Sequence, residues 1–509
     1  MTEKSFWKSA GMVTILLFLS RLLGFAREAA IAYRYGASVE ADAYFLAASI
    51  PLILFMVFND AVKTAFIPVY GEFHREEESN AFAFTVYVVL AIILVVVTVL
   101  MMIFAPQLMR LFAWGYEGYQ FALTVKLVRI MLPGLMFMGL SGLSSGILNL
   151  KKNFFIPAIV AFPNNLVIIF AAIFLGAYFG IYALAWATLI GFALQFLVQV
   201  PAVAAHGVFK PHQLLWRHPG LKKMAILLPP VILGGVAVEL KSIIDKSFAT
   251  LLPEGSISAL NYANKIYLLP NGILIVALLT VLYPTLVEFW AQKKVQAFKN
   301  TLRQGVGILI VLVFPMMVGL IVLRVPIVRF IFERNAFSAM DTANTAYALA
   351  FYALGLLPLG IMLLFNRVFF AMKDTITPML FTLVTMVINI VLNWLLMGPL
   401  AHGGLALGTA LSNLVGAVGM GIFVWKRIGA FGGRRLLDTF WKAGIASLVM
   451  GVIVYLVEPF LQADAFLLQA LELGVIITVG AAIYFVMAYL LKIKELEAAM
   501  ELLRRYFNR

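Results

Sequence analysis

Apolar residues in this chain fall in long continuous runs separated by short polar segments. They lack the period-two alternation that a membrane β-barrel would need. About fourteen runs reach the ~20 residues required for a helix to cross a bilayer. They lie at roughly 11–34, 41–69, 83–109, 122–149, 156–178, 181–204, 224–249, 257–286, 304–330, 342–371, 376–398, 403–425, 440–460 and 465–491. The pattern predicts an all-α polytopic membrane protein.

The polar connections set the orientation. Lys4, Lys8, Lys151, Lys152, Lys210, Arg217, Lys222 and Lys223 fall on one side, joined by Lys293, Lys294, Lys299 and Arg303. Lys373, Lys426, Arg427, Arg434, Arg435 and the tail from Lys492 follow on that side. The other side holds Arg34, Arg110 and Arg334 beside acidic Glu40, Glu117, Glu254, Glu333, Glu458 and Asp464. Basic loops face the cytoplasm, so both termini are expected there (N-in/C-in). Lys4 and Lys8 before an apolar run imitate a signal peptide. No small-residue cleavage site follows, and the run is expected to be a retained helix.

The two halves echo each other at an offset of about 220 residues, a periodicity that marks internal duplication. Pro68, Glu72 and Phe73 recur as Pro284, Glu288 and Phe289. Pro51 matches Pro270, and Gly134, Lys152 and Pro157 match Gly355, Lys373 and Pro378. A repeat of six helices returns to its starting side, so the copies are parallel and related by an axis along the membrane normal. The expected organisation is a lobe over residues 1–222 (spans one to six), a second over 223–432 (spans seven to twelve), and two further helices with a tail over 433–509. Transporters of this build hold substrate between the lobes and alternate access by rocking.

Composition agrees: of 509 residues, 63% are hydrophobic and 12% charged. A net charge of +14 would suit nucleic acid, but its sorting into alternate loops excludes that partner. Cysteine is absent, so disulfides, thiolate catalysis and cysteine-bound metal are excluded. The five histidines (His74, His206, His212, His218, His402) lie in or beside loops, so no metal site is expected within the membrane. No nucleotide-binding fingerprint occurs, which argues against direct ATP use. No cofactor is expected; an energy source would be the membrane potential or a Na+ or H+ gradient.

The charges inside the spans carry the chemistry, because each costs roughly 2.5–3.5 kcal/mol in hydrocarbon unless it faces water or a partner. Span one holds Arg21 near mid-depth, with Arg27 and Glu28 nearer the outside. Span two opens with Asp42 and carries Asp60 and Lys63 toward its inner end. Span seven holds Glu239, Lys241, Asp245 and Lys246, and span eight holds Lys265. By the repeat, Arg21 corresponds to Lys241. Cations at matching depth suit a ligand with several negative charges, such as a pyrophosphate: arginine as a planar fork, lysine as a point charge. The structural alternatives are an Arg27–Glu28 pair, mutual neutralisation of Lys241 and Asp245 one turn apart, and snorkelling of Lys63, Lys126, Arg129, Arg324 and Arg329 to headgroups. Arg21 is too deep to snorkel. Asn389, Asn393 and Thr409 on spans eleven and twelve, with Asp245, form either an oxygen cage for sodium or interhelical hydrogen bonds.

Several strings resemble a known family. Ser20-Arg21-Leu22-Leu23-Gly24-Phe25-Ala26-Arg27-Glu28, followed by Ala41-Asp42-Ala43-Tyr44-Phe45, is similar to the signature of the MurJ (MviN) lipid II flippases, within the multidrug/oligosaccharidyl-lipid/polysaccharide exporter superfamily. So are Gly146-Ile147-Leu148-Asn149 with Pro163-Asn164-Asn165, Pro253-Glu254-Gly255-Ser256 running into Asn261-Tyr262-Ala263-Asn264-Lys265, and Arg367 through Lys373-Asp374-Thr375 to Pro378. The likeness runs from span one to span eleven. It implies two six-helix lobes around a cationic cavity, a groove for the lipid tail on the last two helices, and a bacterial cytoplasmic (inner) membrane location. The implied substrate is lipid II, an undecaprenyl-pyrophosphate carrying MurNAc-pentapeptide and GlcNAc. The family's functional cations fall on Arg21 and Arg27, its acidic residues on Glu28 and Asp42, and its span-eight arginine on Lys265, which keeps charge but loses the bidentate fork. Some members carry an arginine midway along span two, where this chain has Phe55-Met56; any role of that arginine is either absent here or moved to Lys63. The expected protein is a transporter rather than an enzyme, a monomer among membrane lipids, with cell-wall synthesis proteins as conceivable partners. A cation-coupled multidrug exporter would share the two-lobe build but need an acidic or aromatic cavity. A non-transporting scaffold of cell-wall synthesis would need no charge at mid-depth.

Overall fold

The computed structural model describes residues 3–72, 76–210, 213–460, 463 and 465–496. Side chains are described except at 3–10, 14, 54–61, 63, 76, 230–231 and 233–238. The side chains of Lys4, Lys8, Phe55, Met56, Asp60 and Lys63 are therefore not described, and Phe73, His74, His212 and Asp464 lie outside the described residues. Among the described residues all regular structure is helical, and nine helices are long and apolar enough to cross a membrane, ten if the pair Ala339–Leu354 and Leu356–Ala371, bent by 43°, is one span. The chain divides into two compact units.

The first unit comprises Met1–Ser258 and Arg334–Phe337. Its helices are α1 (Glu3–Tyr35), α2 (Val39–Gly71), α3 (Glu76–Ile103), α4 (Ala105–Arg110), α5 (Gly118–Met131), α6 (Gly134–Leu150), α7 (Phe155–Ile159) and α8 (Ala161–Phe170). A π-helical turn, Ala171–Leu175, leads into α9 (Gly176–Phe179), followed by α10 (Tyr182–Leu197), α11 (Val200–Ala205) and α12 (Pro219–Ala249). The Ser38 hydroxyl accepts from the Ala41 amide and starts α2. Pro133 interrupts the predicted span at 122–149 and separates α5 from α6. The middle of the unit is α2, flanked by α5, α6 and α12.

Helix α6 shows how apolar helices associate where lipid removes the hydrophobic drive between them. Its buried face carries Gly139, Ser141, Gly142, Ser144, Ser145 and Gly146, which let neighbours approach closely. The Gln199 amide donates to the Ser141 hydroxyl at 2.6 Å, and Ser145 donates back to Gln199 Oε1 at 2.8 Å. Tyr87 on α3 shares a 2.7 Å hydrogen bond with Ser144. Each such bond contributes on average ~0.6 kcal/mol in a membrane protein. Around them pack Phe66, Phe82, Leu94, Leu135, Leu143 and Ile147.

The second unit comprises Ala259–Glu333 and Ser338–Arg509. It contains α13 (Ser256–Pro270, its first turn in unit one), a second π turn at Asn271–Ile275, α14 (Val276–Ala291), α15 (Val295–Val322), α16 (Arg324–Phe332), α17 (Ala339–Leu354) and α18 (Leu356–Ala371). Then come α19 (Ile376–Ile428), α20 (Gly433–Val457), a 3-10 turn (Glu458–Phe460) and α21 (Phe466–Leu490). The 53-residue α19 is two helices, because Ala401 has φ 46° and ψ −132° and turns the chain back. A Cβ on Gly404 would lie 2.2 Å from the Leu396 carbonyl oxygen, so only glycine admits so tight a hairpin. The predicted spans at 376–398 and 403–425 are its two arms. The single span predicted at 304–330 is instead broken at Leu323, between α15 and α16. Beyond α21, Glu495 is 4% exposed and accepts from Arg435 Nε and the Thr439 hydroxyl, both at 2.8 Å.

The boundary between units follows contacts, whereas the sequence repeat places a boundary at 222. Helix α12, the seventh predicted span, makes the broadest helix–helix contact of unit one, along α2. The matched repeat segments do share a local geometry. Lys152 and Lys373 both have φ 62°. Each is followed by a side chain that accepts from an amide three residues on, Asn153 from Ile156 and Asp374 from Thr377.

Candidate functional site

Helix α1 packs against α7, α8 and the π turn after it, and its fully buried described residues lie in its second half, from Glu28 on. In that half the chain turns from exposed apolar residues to a buried polar cluster. Arg27 Nη2 bonds Glu28 Oε1 at 2.7 Å, and Nη1 donates to Asn165 Oδ1 on α8 at 3.1 Å. The Glu28 side chain is 3% exposed and that of Arg27 23%. The pairing weighed in sequence is thus present, and it leaves the guanidinium partly open on one side. Arg21, six residues earlier and so ~9 Å along the helix, is exposed. It does not sit in a dry, packed interior.

Asp42 is 3% exposed and fully engaged. Its carboxylate accepts from the Gly255 amide (2.7 Å), the Ser258 amide (2.7 Å) and the Ser258 hydroxyl (2.6 Å). It therefore caps the first turn of α13 from the start of α2. Gly255 has φ +84°, and a Cβ there would meet the Ala37 carbonyl oxygen at 2.6 Å. The sequence marked both segments, but only as family strings; the bond joining them is nonlocal, and spacing carries no signal for it.

On α12, Lys246 donates to the Phe45 carbonyl (3.0 Å) and the Ser49 hydroxyl (2.8 Å) of α2. Lys241 is half-buried one turn before Asp245, whose charge acts on it. Nearby on α2, the Tyr44 hydroxyl meets Thr188 of α10 at 2.9 Å. Unit one thus brings together Arg27, Glu28 and Asn165, and separately Asp42 with the turn at 255–258. Asn165 went unremarked in sequence beyond its string, although an asparagine pair in an apolar helix was the available signal.

In unit two, Lys265 is half-buried on α13. Asn389 and Asn393 are fully buried on the first arm of α19, and the Asn389 amide reaches Asn393 Oδ1 (3.4 Å) and Thr409 Oγ1 (3.3 Å) on the second arm. The three residues form one polar cluster. The expected interhelical hydrogen bonding is present there.

A multi-helix membrane protein with two guanidinium groups on its first helix, Arg27 partly open beside Glu28 and Arg21 exposed, has the form of a transporter. The model of the family described as lipid II flippase MurJ matches residues 31–476. The chain is 30% identical over 502 residues to a probable lipid II flippase MurJ of Rickettsia prowazekii, covering 96% of this chain and 98% of that one. It is 32% identical to that of Rhizobium tropici, covering 93% and 92%. The chain belongs to the MurJ family. Among solved structures it is similar to lipid II flippase MurJ in an inward closed conformation, with TM-score 0.80, 28% identity and coverage of 94% and 98%. An inward-facing MATE family transporter of the MOP superfamily shares the fold at TM-score 0.69 and 16% identity, covering 83% and 99%.

Proposed function

We propose that this protein is a flippase that moves lipid II, the undecaprenyl-pyrophosphate-linked disaccharide-pentapeptide, from the inner to the outer leaflet of the bacterial cytoplasmic membrane by alternating access. The observation that carries the reading is the match of nearly the whole chain to relatives of that name. Fourteen spans with both termini cytoplasmic complete it. The helices that pass as spans, the second arm of α19, and the long α1, α2 and α12 support that number, and the basic loops support the orientation.

In this reading the pyrophosphate is drawn to Arg21 and Arg27, with Lys241 adding charge. Exposed Arg21 meets the anion first. Arg27 then exchanges Glu28 for phosphate oxygens, a charge-assisted and bidentate contact. Glu28 is the counter-ion of the empty state, and Asp42 acts indirectly by fixing the turn at 253–258. The polyprenyl tail stays in lipid. Asn389, Asn393 and Thr409 are the candidates for a coupling sodium ion; the membrane potential or a proton gradient is the other source of drive. The protein works as a monomer, and cell-wall synthesis proteins are candidate partners. A multidrug exporter would need an acidic site where α1 carries arginines.

The test is complementation of a flippase-depleted bacterium at normal expression. The wild-type chain restores growth and clears inward-facing lipid II, while Arg21→Ala inserts normally and restores neither. Failure of the wild-type chain removes the flippase reading. Growth supported by Arg21→Ala removes only the role given to that residue.

A further inference from the structure

Among the described residues, six other than glycine have a positive φ: Lys152, Lys293, Asn335, Lys373, Ala401 and Lys492. Four are lysines, and all four occupy the same position. Each follows the last turn of a helix whose end is closed by a pair of backbone bonds. The Lys152 amide reaches the Asn149 carbonyl and the Asn153 amide the Leu148 carbonyl. Lys293 reaches Trp290 while Lys294 reaches Phe289. Lys373 reaches Phe370 while Asp374 reaches Phe369. Lys492 reaches Tyr489 while Ile493 reaches Ala488. This is the Schellman closure, whose left-handed position is ordinarily held by glycine because a Cβ there is strained. Among the described residues, every end closed by this pair of bonds carries lysine.

Strain at four ends in favour of one side chain needs a reason beyond ending a helix. Attraction of a cation to the helix C-terminus is one. A lysine in the last helical turn would gain that attraction with relaxed backbone angles, so it does not explain this position. The left-handed residue is the second past the helix end, one step beyond the C-cap, from which a long side chain extends toward the headgroup layer. All four lysines are exposed, and among the described residues none joins an ion pair. A second cation stands beside three of them: Lys151, Lys294 and Lys494. In the orientation argued above, on which this inference rests, all four ends are cytoplasmic. The left-handed positions of the opposite side are Gly36, Gly118, Gly180, Gly255, Asn335 and Ala401, with no lysine among them.

We propose that Lys152, Lys293, Lys373 and Lys492 are phosphate-binding positions for anionic phospholipids of the cytoplasmic leaflet, one at each helix end. A negatively charged leaflet attracts basic residues held at its surface. Holding the ammonium on a closed helix end removes the ordering that a mobile loop would undergo on binding.

The experiment compares the full-length protein in phosphatidylcholine bilayers with and without phosphatidylglycerol, reading the unfolding temperature. The wild type shifts upward with phosphatidylglycerol. Replacing all four lysines by glycine should raise the unfolding temperature in phosphatidylcholine, since strain is relieved, and should abolish most of the upward shift. Replacing all four by arginine should preserve the shift. The proposal is overturned if the glycine variant keeps the full shift, or is less stable than wild type in phosphatidylcholine. It also falls if the variant loses its response to added undecaprenyl pyrophosphate while keeping that to phosphatidylglycerol, for the lysines would then serve cargo. A Lys293→Cys variant, whose thiol is unique in this chain, separates the orientation from the lipid. Labelling by an impermeant maleimide from outside intact cells would sink the orientation, whatever the bilayers show.

Discussion

At the scale of residues, the Arg27–Glu28 pair decides how α1 tolerates charge. Glu28 is nearly sealed while Arg27 is partly open, so removing the arginine takes the guanidinium away from a buried carboxylate. Breaking a buried pair from one side costs about 3–5 kcal/mol, and the openness of Arg27 puts the expectation at about 3. Arg27→Ala should therefore lower the unfolding temperature clearly, Arg21→Ala should not, and adding Glu28→Ala to Arg27→Ala should recover part of the loss. Equal melting of the two single variants would show that the pair is not structural. The sequence exposed both arginines because charges are conspicuous in an apolar run. Asn165 and Ser258 escaped it because what they bind lies far along the chain, and neither partner is unusual where it stands.

Among elements, the informative places are helix ends. The sequence located them to within a few residues wherever a basic loop followed, but it missed the break at Leu323, where apolar residues continue through the interruption. At the hairpin in α19, Ala401 holds φ 46° and ψ −132°, a sparsely populated backbone conformation for a residue with a Cβ that costs about 1–3 kcal/mol. Ala401→Gly should stabilise the protein by about 0.5–1 kcal/mol after the added freedom of the unfolded chain is subtracted, read from thermal unfolding in detergent. In the loop before α19, the Thr377 amide chiefly, then the Thr377 hydroxyl and Arg427, pull the Asp374 carboxyl down from 3.8 to about 2. A depressed carboxylate stabilises the fold fully above its unfolded value and loses that contribution as pH falls through the folded one. Unfolding temperature should thus drop between about pH 4 and pH 2, and Asp374→Asn should flatten that part of the profile. An unchanged slope in the variant would place the acid sensitivity elsewhere.

For the whole molecule, the sequence was most legible where physics leaves least choice. A bilayer demands about 20 apolar residues per span, so the long apolar helices could be read directly. Which helices group together depends on packing between distant segments, and α12 joins α2 through contacts no periodicity announces. The orientation is testable in this cysteine-free chain: Tyr119→Cys should react with an impermeant reagent on intact cells, and Gly433→Cys only after permeabilisation. The reverse result would invert the whole topology and the leaflet assigned to substrate entry.

The two π turns bear on how this chain tolerates changes in length. At Ala171–Leu175 and Asn271–Ile275 the ladder reaches back five residues, as in the bond from Gly176 to Ala171 and that from Val276 to Asn271. Such a turn holds one residue more than an α-helix needs. Deleting a residue elsewhere in a span rotates everything beyond it by about 100° and turns buried faces toward lipid. Deleting one inside either wide turn should relax it to ordinary helix, with the flanking faces still in phase, so among the described residues these are the two points where a span can shorten by one residue and still fit its neighbours.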